Sequence, residues 1–198
     1  MKKTLFGLII FLFLLLTFQS CSEEDSYIDL TDEAKKLILY DVGDTFELKN
    51  IETNEIITLT VNWKEFEYSR DGPTPGDIYG GIGGDNFYER AEYFFSDTTD
   101  CYNGTVAVEA RSNGNFEFSI GTGDCFGEYL TTTEFNSLGF EFNGEISNIN
   151  VNGVEYSETY VLETFNTAFT NTIFYTKENG IVQIFDNYTQ SAVFTIAE

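Results

Sequence analysis

Thr105-Val106-Ala107-Val108-Glu109-Ala110-Arg111-Ser112-Asn113-Gly114-Asn115-Phe116-Glu117-Phe118-Ser119-Ile120 decides the fold class. Apolar side chains recur at every second position on both sides of a Ser-Asn-Gly break, the period of a half-buried antiparallel pair. A two-residue Asn113-Gly114 turn would set Ala110 opposite Glu117 and Phe116 opposite Arg111, mixing polar and apolar residues on both faces. A three-residue loop, Ser112-Asn113-Gly114 with Gly114 in the left-handed bulge position, pairs Ala110 with Phe116, Val108 with Phe118 and Val106 with Ile120. That register keeps one face apolar throughout and is the expected one.

Carried outward, the same register sets Cys101 opposite Cys125. Two cysteines of an exported chain that meet in a register chosen on other grounds predict a disulfide. Closing a loop of this size contributes roughly 3 kcal/mol in the loop-entropy model, and the expected role is to clamp the hairpin base. Neither cysteine has Cys-x-x-Cys spacing or a histidine neighbour, so a reactive thiol pair is the weaker reading.

A second hairpin can be argued to the residue. In Ile149-Asn150-Val151-Asn152-Gly153-Val154-Glu155-Tyr156, a type I′ Asn152-Gly153 turn pairs Val151 with Val154 and Ile149 with Tyr156, placing all four apolar side chains on one face. Elsewhere after Tyr40 the chain reads as short strands punctuated by Gly, Asn and Asp, ending with Thr172–Thr176, a Glu178-Asn179-Gly180 turn, Ile181–Phe185 and Ala192–Ile196. Ile57, Leu59, Val61 and Trp63 alternate on one face while Phe66 and Tyr68 have the opposite parity, which predicts a bulge between Trp63 and Phe66. Thr31 before Asp32-Glu33-Ala34-Lys35 is the one helix start in this part of the chain. The expected fold is all-β: a single antiparallel domain over residues 31–198, sandwich or barrel-like, with one short N-terminal helix.

The N-terminus carries an address. Lys2 and Lys3 precede the apolar block Leu5–Phe18, too short for the roughly 20 residues of a spanning helix, and Gln19-Ser20 closes it. Residues 1–20 are therefore expected to be a removable signal peptide. Phe18-Gln19-Ser20-Cys21 resembles the relaxed lipobox of Bacteroidetes lipoproteins, which implies acylation of Cys21 and an anchor of two or three acyl chains. Residues 21–30 form an acidic tether, and its Ser22-Glu23-Glu24-Asp25 resembles the signal that sends such lipoproteins to the outer face of the outer membrane. A periplasm-facing orientation is the alternative.

Composition narrows the functions. The chain has a formal charge of -23, and loss of Lys2 and Lys3 with the signal leaves 8 basic against 33 acidic residues, or -25. Such a field repels phosphate backbones and anionic head groups, so nucleic acid is excluded as a partner and membrane contact is expected through the lipid. Disorder is excluded too, because 42% hydrophobic residues with 20 Phe and 12 Tyr supply a core. With no His there is no triad, no imidazole metal site and no histidine acid-base chemistry. The glycines from Gly80 to Gly84 lack the lysine and helix start of a phosphate-binding loop.

Leu30-Thr31-Asp32-Glu33 with Tyr40-Asp41-Val42-Gly43-Asp44, Val151-Asn152-Gly153-Val154-Glu155-Tyr156, and Phe174-Tyr175-Thr176-Lys177-Glu178-Asn179-Gly180-Ile181-Val182 together resemble a family of Bacteroidetes and flavobacterial lipoproteins. The motifs are loose and span most of the chain. The resemblance implies a β fold and a membrane address, and carries no activity.

The loop between Asp71 and Asp85 holds both prolines and six glycines and is the first candidate for ligand contact, through Asp71, Asp77, Tyr79, Asp85, Phe87 and Tyr88. Tyr93, Phe94 and Phe95 extend its aromatic cluster, although Phe and Tyr also fill β cores. Oxygen ligands of the kind Ca²⁺ takes stand at Asp71, Asp77, Asp85, Asp97, Asp100 and Asp124, without the Asp-x-Asp-x-Asp-Gly spacing of a dedicated loop. No other cofactor is expected. Asp97-Thr98-Thr99 resembles the O-glycosylation acceptor pattern of Bacteroidetes, which implies a sugar on Thr98. The expected function is a non-enzymatic lipoprotein that binds a glycan, peptide or partner protein or serves the envelope structurally. The alternative is a carboxylate-dependent hydrolase acting on polysaccharide.

Overall fold

In a computed structural model that describes residues 25–71, 86–112, 114–123, 125–126, 138–164 and 171–197, ten strands pair in chain order. They are β2 (Thr45–Asn50), β3 (Ile56–Asp71), β4 (Asn86–Ser96), β5 (Asn103–Ala110), β6 (Phe116–Thr122), β7 (Leu138–Val151), β8 (Val154–Thr164), β9 (Asn171–Thr176), β10 (Gly180–Asp186) and β11 (Ser191–Ile196). Each is bonded to the strand before and after it, and β11 returns to β2 through Phe194 with Asn50, Thr195 with Lys49 and Ile196 with Leu48. The sheet is a closed antiparallel up-and-down barrel, which decides between the two expected architectures. A further short strand, β1 (Ser26–Ile28), adds to β4.

Both hairpins have the expected registers. In β5–β6, Ala110 faces Phe116, Val108 faces Phe118 and Val106 faces Ile120. Gly114 has φ +78, the left-handed bulge conformation, and the loop closes through Arg111 N–H to the Asn115 carbonyl. In β7–β8, Val151 faces Val154 and Ile149 faces Tyr156 across Asn152 and Gly153, both at positive φ.

The parity break in β3 lies earlier than expected. Ile57, Leu59 and Val61 are buried, but Trp63 is exposed and stacks on Phe94, with ring centroids 6.2 Å apart. Phe94 alternates outward between the buried Tyr93 and Phe95, so Trp63 has already left the interior face. Asn62 reaches the Ser96 hydroxyl at 2.8 Å and Lys64 the Ile38 carbonyl at 3.4 Å, on opposite sides of the strand. The change of phase therefore falls between Val61 and Trp63.

By its contacts the chain divides into two units. One comprises Tyr27–Ser69 and Tyr88–Glu198; the other comprises Met1–Ser26 and Arg70–Phe87, of which residues 25, 26, 70, 71, 86 and 87 are described. The first unit holds the core. Tyr93, Phe95, Phe118, Phe140, Tyr175 and Phe194 are fully buried inside the barrel, packed with Leu48, Leu59, Ile120 and Leu162. Gly104 makes this possible on β5: a Cβ there would lie 2.5 Å from the Phe95 ring and 2.5 Å from the Gly121 carbonyl oxygen.

Both ends of that core are covered. At one end α1 (Asp32–Lys35) starts on Thr31, whose Oγ1 accepts from Ala34 N–H. Leu30, Ala34, Leu37 and Ile38 of this segment are buried. The Tyr175 hydroxyl donates to the Leu37 carbonyl at 2.6 Å, and the Tyr40 hydroxyl donates to the Asn179 carbonyl at 2.9 Å. The buried Glu89 carboxylate accepts from Leu30 N–H and pairs with Lys35 Nζ, each at 2.8 Å. At the other end the Cys101–Cys125 disulfide forms as the register predicts, with Cα atoms 5.4 Å apart. Phe126, directly after it, is fully buried against Tyr102 and Phe194.

Candidate functional site

Among the described residues large apolar side chains pack inside the barrel, and recesses are found on its outside. One is built by strand pairing. The registers align Phe94, Thr105, Gly121 and Gly139 in one row across β4 to β7, and Glu92, Ala107, Ser119 and Glu141 in the next. These side chains face outward, because the intervening Tyr93, Val106, Ile120 and Phe140 are buried. Two glycines, an alanine and a serine in adjacent rows leave the outer face low, and a trough of about 380 Å³ results. A Cβ added at Gly121 meets nothing within 4 Å.

The walls of the trough differ in chemistry. Trp63 stands at one side, 39% exposed and backed by Phe94. Glu141 stands at the other, with Thr105 and Ser119 hydroxyls between. At one end Arg90 donates to Glu92 from Nε at 3.0 Å and from Nη2 at 2.6 Å, and pairs with Glu109 at 3.4 Å. Glu109 also binds Arg111, which reaches Glu117 in turn, so charges of alternating sign run across β4, β5 and β6. The Arg111 hydrogen bond holds the Glu117 carboxyl below its ordinary range against the opposing effect of burial.

The arrangement suits recognition of a polyhydroxylated ligand. An aromatic ring offers its face to apolar C–H groups, while hydroxyl, carboxylate and guanidinium groups bond to hydroxyls. Among the described residues, the carboxyls displaced from their ordinary values, Glu33, Asp97 and Glu117, are all lowered. That is opposite to the direction required of a general acid at neutral pH.

The residues singled out from sequence are placed variously. Cys21, Asp77, Tyr79, Asp85 and Asp124 lie outside the described residues, as does the side chain of Asp71. Phe87 is half-buried, and Tyr88, Tyr93 and Phe95 belong to the core. Of the described aromatics at 93 to 95, Phe94 is the one turned outward, and Trp63 is its unforeseen partner. Asp97 organises its own turn: Oδ1 accepts from Cys101 N–H at 2.9 Å and Tyr102 N–H at 3.1 Å, and Oδ2 accepts from Thr99 Oγ1 at 2.6 Å. Partial burial would raise this carboxyl, but those bonds outweigh it and hold it low. Thr98 is exposed in the same turn, and Asp100 occupies it at φ +59.

Among the described residues no three His, Cys, Asp or Glu side chains gather in a way that could hold a metal ion, and no helix is long and apolar enough to cross a membrane. The trough itself had no signal in any one strand, since Thr105, Gly121 and Gly139 become a floor only when two registers are joined. Comparison with protein-family models, with curated proteins and with solved structures gives no match for this chain.

Proposed function

We propose that this chain is a lipoprotein anchored in the outer membrane through Cys21, displayed at the cell surface, and that its barrel is a non-enzymatic module binding glycan in the outer trough. The observation that carries the reading is the exposed Trp63, stacked on Phe94, bordering a recess whose polar lining groups are hydroxyls, carboxylates and a guanidinium. A sugar ring presents an apolar face and an equatorial belt of hydroxyls, the complement of that pairing. The core side chains that the described residues place inside the barrel support an outer site. The address rests on Lys2-Lys3, the apolar block, Cys21 and the acidic run after it.

Two measurements test the proposal separately. Intact mass from the native host, with protease shaving of whole cells, reads the anchor and its exposure: an acylated Cys21 and loss of the protein on shaving are expected. A glycan array probed with the soluble barrel and with Trp63→Ala reads the site. Binding that falls by about fivefold or more in Trp63→Ala is expected, since the ring contact alone is worth about 1 kcal/mol or more. An array on which the wild-type protein binds nothing rejects the glycan reading and leaves the address standing.

A further inference from the structure

A second recess, independent of the trough, lies at the α1 end of the barrel. Strand β8 begins at Val154, but its neighbour β9 joins it only from Tyr160, paired with Tyr175, and stops at Thr176. Asn179 N–H then bonds the Thr176 hydroxyl at 3.0 Å and turns the chain away into β10. Among the described residues, the lane that β9 would occupy beside Val154–Glu158 is therefore vacant. It forms a crevice of about 780 Å³ between that stretch of β8 and the Thr176–Asn179 turn, with Lys36, Ile38 and Leu39 at its edge.

The exposed side of β8 carries backbone groups. Val154 and Tyr156 face Val151 and Ile149 across a two-residue turn, so both exchange their hydrogen bonds with β7. Alternation then turns the N–H and C=O of Glu155, and the N–H of Ser157, toward the crevice. A strand edge with unpaired donors and acceptors beside an open lane is a template for strand addition.

Charge selects the occupant. Glu33 is neutralised locally by Lys36 at 2.6 Å and Lys177 at 3.0 Å, whereas Glu155, Glu158 and Glu178 line the crevice without a cationic partner among the described residues. A second copy of the chain would bring the same three carboxylates against their own images. We propose that the Val154–Glu158 edge of β8 is a docking site for an extended cationic peptide segment of another protein, added as a strand in the lane that β9 vacates. The segment spans about six residues at roughly 3.3 Å each, with its Lys or Arg side chains on the glutamates and its backbone on Glu155 and Ser157.

The test uses the full chain and a panel of synthetic peptides, about six residues long, that alternate Lys or Arg with Val, Thr or Tyr. Saturable one-to-one binding by fluorescence anisotropy is expected for at least one peptide, weakening in Glu155→Gln and Glu158→Gln and unchanged in Trp63→Ala. N-methylating one alternate set of its amides should weaken binding by about tenfold or more, while methylating the other set leaves it within about twofold. Absence of binding across the panel overturns the proposal. So does equal tolerance of both methylated sets, which marks plain charge attraction, or loss of binding in Trp63→Ala, which moves the contact to the trough.

Discussion

Phe126 meets Phe194 edge to face with ring centroids 5.2 Å apart, directly after the cysteine that is bonded to Cys101. The disulfide therefore does more than clamp the base of β5 and β6. It holds a buried ring against β11 at one end of the barrel.

That coupling gives the first prediction. Replacing both Cys101 and Cys125 by Ser should cost about 3 kcal/mol, and Phe126→Ala about 3–5 kcal/mol through lost burial and the cavity left behind. The combination should cost less than the sum by about 1 kcal/mol or more, because without the bridge the ring is less firmly seated. Urea denaturation of the four proteins measures it. Strict additivity would mean that Phe126 is placed independently of the disulfide.

At the opposite end, the α1 segment is tied down through a buried carbonyl. Tyr175→Phe removes the donor to Leu37 and leaves that oxygen unpaired, at a cost of about 1–3 kcal/mol. Tyr93→Phe should cost clearly less, since its contact to the Tyr175 hydroxyl is 3.5 Å long. Amide exchange at Ala34, Leu37 and Ile38 should rise in Tyr175→Phe and stay near wild type in Tyr93→Phe.

The same tyrosines set an alkaline limit. Burial, helped by the nearby Asp44, pushes the Tyr40 hydroxyl up to about 12, and burial also raises Tyr93 and Tyr175. A folded value above the unfolded value of about 10 means that stability is intact below about pH 10 and is lost as the pH rises beyond it. For Tyr40 the loss runs toward pH 12. Melting temperature should hold up to about pH 9.5 and then fall, and the fall should be shallower in Tyr40→Phe. A fall of the same steepness in Tyr40→Phe would contradict the assignment.

What could be read in advance was local. The Ala110–Phe116 register, Gly114, the Asn152-Gly153 turn and the Thr31 cap each depend on residues close together in the chain, where alternation and turn chemistry act directly. Barrel closure was not readable, because nothing around Leu48 or Phe194 announces a partner at the far end of the domain. Trp63 continued the parity of Ile57, Leu59 and Val61, and only its contact with Phe94 reveals the slip. The trough was hidden for a related reason: Gly121 and Gly139 are unremarkable alone and become a floor once β5, β6 and β7 lie side by side.

Two glycines one strand apart then make opposite predictions. Gly104 faces inward, where a Cβ would press on the Phe95 ring and the Gly121 carbonyl, both at 2.5 Å. Gly104→Ala should cost about 1–3 kcal/mol by overpacking while leaving the trough intact. Gly121 faces outward into open space, so Gly121→Val should fold at least as well, gaining up to about 1 kcal/mol from reduced unfolded-state freedom and better strand propensity. Its branched side chain, however, rises from the floor of the trough between Thr105 and Gly139. Thermal melts and glycan titration of the two variants should therefore diverge, Gly104→Ala losing stability while keeping affinity and Gly121→Val keeping stability while losing affinity. If Gly121→Val binds as tightly as the wild type, the glycan does not occupy the trough, whatever Trp63→Ala does.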